Sequence, residues 1–248
     1  MKYPVIILGT MLLLALILLP SYLFFRSLRP KDDQTTPFPK VPQITKTPLP
    51  TLESQEKYPL HQNIVATVFW IGEEASQDNG FISNHQSAWD TNWVKSFGGI
   101  DDPKERDGFF PKGFVPKENP FYLALPYSDF DKRGRKGNIQ RIPWYEAPLG
   151  NVSLIKNRWV KIIYQNRVCF AQWENAGPSE SDDIGYVFGS TAPKNTFGQK
   201  AGIDISPAVR DCLNAPDVAK VSWQFVDDRD VPPGPWKQII TRSNPRWE

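Results

Sequence analysis

The sequence is poor in the side chains that most often carry chemistry near neutral pH. Among its 248 residues it holds 2 histidines, His61 and His85. Such scarcity argues against a histidine-based nucleophilic triad. It holds 2 cysteines, Cys169 and Cys212, with no CxxC and no His/Cys spacing of a zinc site. No EF-hand spacing gathers Asp90, Asp101 and Asp102 into a calcium loop. Neither sign of charge prevails, with 29 Lys+Arg against 27 Asp+Glu. That balance gives no electrostatic case for a nucleic-acid partner. No internal repeat is evident at the periods of solenoids. No metal and no cofactor are expected, and nothing indicates the oligomeric state.

The one long hydrophobic run lies at the start. From Tyr3 to Phe25 there is no charged residue. That length spans a bilayer with some tilt. No small-x-small cleavage site precedes Arg26, so the run is read as an uncleaved single-span anchor covering residues 1–29. No Cys stands near it for lipidation. Lys2 on one side and Arg26, Arg29 and Lys31 on the other slightly favour a cytoplasmic C-terminal side. Residues 30–60, rich in Pro and Thr, argue the opposite. They read as an extended linker of the kind that holds a domain off the outer face of a membrane. The expectation is a single-pass membrane protein with an extracytoplasmic C-terminal domain, residues 61–248. The two cysteines of such a domain are either paired or small core residues; the sequence allows both.

From residue 62 the pattern is mainly β. Asn63–Ile71 is rich in β-branched and aromatic residues and reads as a strand, as does Phe121–Tyr127. Residues 84–96 read as a short amphipathic helix with Trp89 and Trp93 on one side. Trp159–Tyr164 and Val168–Trp173 flank Gln165-Asn166-Arg167, a hairpin in which Asn166 suits the positive-φ position. Residues 98–120, 128–150 and 179–200 read as long loops or insertions. The basic run Lys132-Arg-Gly-Arg-Lys136 reads as a solvated surface. Lys220–Val226 alternates, with Val221, Trp223 and Phe225 on one face. A last strand is expected near Trp236–Thr241.

The segment AGIDISPAVRDCL, residues 201–213, is the most informative. Ile203 and Ile205 share one strand face and Asp204 takes the other. Ser206 is a helix N-cap, Pro207 suits the first helical position, and Asn214 ends the helix in the left-handed region. Asp204 is then either a carboxylate that bonds backbone N–H groups near a helix start or a carboxyl held for chemistry. Apolar neighbours raise its pKa, whereas a nearby helix N-terminus lowers it.

The hairpin and turn of Val168–Pro178, the Ile203-Asp-Ile-Ser-Pro-Ala-Val209 step and the Val221-Ser-Trp-Gln-Phe-Val226 strand together resemble the double-psi β-barrel domain of bacterial expansins, rare lipoprotein A and the related small endoglucanases. The resemblance covers residues 158–226, interrupted by the 179–200 segment; residues 62–150 are longer than in most members. It implies a six-stranded double-psi β-barrel with long loop insertions, placed at the cell envelope and acting on a wall polysaccharide or peptidoglycan. It assigns Asp204 as the groove carboxyl, the general acid of the endoglucanases. The family's turn often carries a second carboxylate. Here the turn reads Glu174-Asn175-Ala176-Gly177-Pro178, so the expected Asp is Asn175, which does not titrate. Glu174 is the neighbouring candidate, although one residue along a strand changes face. Glu73 or Glu74, at the end of the first strand, is another source of a base.

Asp204 and Glu174 are thus the candidate catalytic residues, and Trp173, Asn175 and Ser206 the candidate substrate-binding ones. Trp173 is placed to stack on a sugar at the groove rim, with core packing as the default for all the tryptophans. The expected function is binding or remodelling of a wall polysaccharide in the manner of an expansin, without hydrolysis. The alternatives are a lytic transglycosylase or glycoside hydrolase using Asp204, and a structural or interaction domain without catalysis.

Overall fold

A computed structural model describes residues 57–147 and 150–244. The expected anchor and most of the linker lie outside these residues. Among the described residues no helix is long and apolar enough to cross a membrane. The last few linker residues belong to the fold. Tyr58 is buried against Trp144 and Phe225, and its hydroxyl donates to Asp227.

Ten strands follow in chain order: β1 (His61–Val68), β2 (Arg106–Asp107), β3 (Phe110–Pro111), β4 (Tyr122–Leu125), β5 (Phe130–Asp131), β6 (Gly134–Arg135), β7 (Trp159–Tyr164), β8 (Arg167–Ala176), β9 (Ile203–Ile205) and β10 (Val218–Val226). Among the described residues three short α-helices are α1 (Trp93–Phe97), α2 (Ile184–Val187) and α3 (Pro207–Leu213). Six strands close a barrel in the order β1-β10-β7-β8-β4-β9. β2–β3 and β5–β6 are separate small hairpins in the long loops.

The barrel is mixed. β1 with β9 and β4 with β8 are parallel, and the remaining neighbours are antiparallel. Its pairing repeats internally. Moving three barrel strands along the chain carries β1, β4 and β7 onto β8, β9 and β10. Each neighbouring pair then falls on another neighbouring pair of the same sense. The two parallel pairs exchange, and the β4–β9 and β10–β7 pairs map onto themselves.

Alternation fills the interior. Ala66, Leu123, Leu125, Val160, Ile162, Ala171, Trp173, Ile203, Ile205, Val221, Trp223 and Phe225 form one buried cluster. Cys169 joins it from β8 and is disulfide-bonded to Cys212 of α3, with their Cα atoms 6.2 Å apart. A second cluster, Phe69, Ile71, Trp93, Phe97, Tyr122 and Ala124, packs apart from the first and seats α1.

Three sequence expectations change. The helix expected over 84–96 shrinks to Trp93–Phe97. Ser87 Oγ accepts from the Asp90 amide and Asp90 Oδ1 accepts from the Asn92 amide, so these side chains hold a turn where a helix would need its own ladder. In the β7–β8 turn the positive φ falls on Gln165 (φ 52), not Asn166, because Tyr164 and Arg167 are paired and Gln165 comes first in the two-residue turn. No strand forms at Trp236–Thr241. Pro235 opens a 3-10 turn, Pro235–Lys237, and prolines cannot donate to a ladder. Side chains hold this segment instead: Gln172 bonds both the N–H and the C=O of Thr241, at 2.8 and 3.0 Å.

Candidate functional site

Four neighbouring strands bring one residue each into a row. Thr67 of β1 pairs with Asp204 of β9, Asp204 with Ala124 of β4, and Ala124 with Asn175 of β8. All four line a cavity of about 1200 Å³. The row depends on an irregularity in β8. Leu123 faces Trp173, but the next β4 residue, Ala124, faces Asn175. Glu174 is the extra residue of that step. Strict alternation would have sent Asn175 the way of Trp173, into the barrel.

Asp204 stands on a strand locked in place on both sides. The Phe69 amide donates to Ile205 O at 3.2 Å. Ser206 caps α3, where its Oγ accepts from the Val209 amide at 3.3 Å and donates to Pro120 O at 2.7 Å. Ser206 N also donates to Tyr122 O at 3.0 Å. The helix start is therefore satisfied by Ser206 and not by Asp204. Pro207 follows at the first position and Asn214 (φ 50) closes the helix.

The Asp204 carboxyl is half-buried and bonds no backbone N–H among the described residues. Its partner is the Thr67 hydroxyl, which donates to Oδ1. Oδ2 faces the turn after β8, where a Cβ on Gly177 would stand 3.7 Å away. Burial pushes this carboxyl up to about 7. The Thr67 hydrogen bond opposes the shift, and the charge of Glu73 reinforces it. Desolvation thus outweighs any pull from the helix.

The candidates separate from one another. Asn175 lines the cavity beside Asp204, with its Oδ1 accepting from Ala88 N at 2.9 Å and Ala176 N at 2.8 Å. Glu174 does not line it. It is 2 % exposed and paired with Lys156, Nζ to Oε2 2.7 Å. Burial also lifts this carboxyl to about 7, against the opposing effect of Lys156. Trp173 is fully buried in the barrel core and donates its indole N–H to Asn175 O at 2.7 Å. It offers no face to a sugar, because the β8 step that turns Asn175 outward leaves Trp173 on the inner face. Ser206 is buried and spent on the cap.

Two residues gain weight. Thr67 reaches Asp204 only through the parallel pairing of β1 with β9; the sequence signal was a lone hydroxyl in the apolar second half of the strand, Ile64–Val68. Glu73 lines the cavity, and burial raises its carboxyl despite a 2.7 Å hydrogen bond from Asn84. Glu74, by contrast, is exposed and sits 2.9 Å from His85. The rest of the lining is mostly uncharged, with polar side chains set among apolar ones such as Trp70, Ile82 and Phe197, and it carries Asp78 and Lys104. It includes Gln77, Asn79, Asn84, Asn195 and Gln199 together with Ser76, Ser83, Ser87, Ser179 and Ser181. Arg210 also reaches the cavity, but its charge is met by Asp211 and Asp217 at 2.8 and 2.9 Å. Among the described residues no group of His, Cys, Asp and Glu is placed to hold a metal ion.

No protein-family model matches the chain, and no curated protein matches it. The site is read from its own geometry.

Proposed function

We propose that residues 61–248 form a double-psi β-barrel that binds and remodels a cell-envelope polysaccharide, with Asp204 as the working carboxyl of its groove. The internal repeat of the pairing, with its two exchanged parallel pairs, supports the double-psi reading. One observation carries the functional reading. Asp204 lies in an open groove, is bonded by a hydroxyl rather than by backbone, and has its pKa raised by burial to about 7. A carboxylate kept only to cap a helix would accept backbone N–H groups and have a lowered pKa.

The amides and hydroxyls around it suit a neutral polyhydroxylated ligand. With Asn175 at the expected second acid position, binding and loosening of glycan chains is the favoured activity. A protonated Asp204 donates to a glycosidic or hydroxyl oxygen without a partner base. Cleavage is the second reading, favoured by Glu73 in the same groove. There Asp204 protonates the leaving oxygen and Glu73 serves as the other carboxyl. The Cys169–Cys212 disulfide supports an oxidising, extracytoplasmic setting for the domain, anchored through the Tyr3–Phe25 run.

The test is incubation of the full chain in detergent with peptidoglycan sacculi and, separately, with cellulose. Co-sedimentation without released sugar, weakened in Asp204→Asn, is the expected result. Released muropeptides or sugars that vanish in Asp204→Asn would select cleavage. Failure to sediment with either polymer, and no product, would end both readings.

A further inference from the structure

The polysaccharide reading needs an aromatic surface, and Trp173 does not supply it. Phe197 also lines the cavity that holds Asp204, on the 179–200 segment, and it is 46 % exposed. Its backbone is held on both sides. The buried Asn195 accepts from the Phe197 amide at 2.9 Å and donates to Ala201 O at 2.9 Å, and Phe197 O accepts from the Lys200 amide at 2.8 Å. The ring rests on the opposite loop, where a Cβ at Gly80 would come within 3.1 Å of it. An exposed aromatic held this firmly has already lost the mobility that binding would otherwise cost.

The loop it touches is costly in the same way. Phe81, next to Gly80, is 75 % exposed and has φ 60, a left-handed conformation that bulky residues rarely adopt. Ile82 beside it is 46 % exposed and lines the cavity. Gln199 and Gln77 line the same cavity with amide donors and acceptors, whereas the Asn79 amide is bonded to Ser76 N and Glu74 O within its own loop. A flat apolar ring flanked by neutral amides matches one ligand chemistry well. The axial C–H groups of a pyranose meet the negative face of the ring, and its equatorial hydroxyls meet the amides.

We infer that Phe197 is a sugar-stacking platform at the rim of the Asp204 groove, taking one uncharged pyranose ring of the polysaccharide. This rests on the glycan reading above and specifies a subsite of it. The 179–200 segment then has a purpose: it supplies the stacking surface that the barrel strands keep buried.

The experiment compares binding isotherms of full-length wild type, Phe197→Ala and Phe197→Trp in detergent, on peptidoglycan sacculi and on cellulose. Thermal unfolding of each serves as the fold control. Loss of the ring is expected to weaken binding about three- to tenfold, with the unfolding midpoint unchanged, and Phe197→Trp is expected to restore it. Equal binding by wild type and Phe197→Ala would overturn the platform while leaving the glycan reading intact. Binding lost in both aromatic variants would overturn it too, because any flat ring should serve. If wild type binds neither polymer, the glycan reading fails and the platform with it.

Discussion

Asp204 and Glu174 sit on strands that flank the same β4, and burial lifts both carboxyls to about 7. Their surroundings differ in the bonded partner and in access to water. Glu174 has the Lys156 ammonium at 2.7 Å, with both side chains almost fully buried. Asp204 has a hydroxyl, an open groove and, as its charged neighbour, the like charge of Glu73. A buried carboxyl with a cation is a fixed internal pair, its charge answered in part by its partner. A buried carboxyl without one is a proton held ready, and its ionised form strains the fold. The same direction of pKa shift therefore marks structure in one place and a candidate site in the other.

The largest test of this contrast is Glu174→Ala. It leaves the Lys156 ammonium buried with neutral acceptors alone, Ser243 O, Ser243 Oγ and Asn157 Oδ1. We expect a loss of roughly 3–5 kcal/mol in unfolding free energy, read from the denaturant midpoint. A variant with unchanged stability would mean that the pair does not hold this part of the fold, and the contrast would collapse.

Asp204→Asn is expected to act with the opposite sign. The folded carboxyl binds its proton up to about pH 7, whereas the unfolded one releases it near the ordinary value of 3.8. Between those values the native state holds more protons, so wild-type stability falls as pH rises through this window. The upper bound of the ionisation penalty is about 4 kcal/mol, at about 1.4 kcal/mol for each pH unit. Contact with groove water reduces it, and a gain of roughly 1–3 kcal/mol at pH 8 is expected. The gain should shrink to nearly nothing at pH 4, while glycan binding is weakened below pH 7, where the wild-type carboxyl is protonated. Equal effects on stability at pH 4 and pH 8 would show that Asp204 is not held protonated.

What could be read in the sequence was what local chemistry decides. Ser206, Pro207 and Asn214 mark the ends of α3 through their own backbone and side-chain preferences. Val221, Trp223 and Phe225 mark the inner face of β10 by alternation alone. The position of Asp204 between Ile203 and Ile205 followed from the same rule. The rest depended on long-range pairing. Whether Glu174 or Asn175 enters the groove is decided by the irregular step of β8 against β4, which no local signal announces. Thr67 and Lys156 meet their carboxyls only after the barrel closes. Ser87 and Asp90 outweighed the Trp89/Trp93 spacing that suggested a longer helix. The same step left Trp173 inside, and Phe197, from a segment read as an insertion, is the most exposed aromatic of the groove lining, which also holds the half-buried Trp70.

The finest test compares two variants that adjust Asp204 without replacing it. Thr67→Val keeps the shape of the side chain and removes the hydroxyl that donates to Oδ1. That bond favours the ionised carboxyl, so its loss should raise the Asp204 titration midpoint, by about one pH unit for a hydrogen bond to a charged group. Glu73→Gln removes a negative charge that favours the neutral form, so it should lower the midpoint by a smaller amount. Carbon-13 NMR of the Asp204 carboxyl reads both shifts directly. Opposite signs would show that a hydroxyl and a like charge in the same groove, rather than an ion pair, tune this group. Shifts in one direction for both variants would mean that the substitutions act by altering water access to the groove. The resemblance between Asp204 and Glu174 would then be closer than their partners suggest.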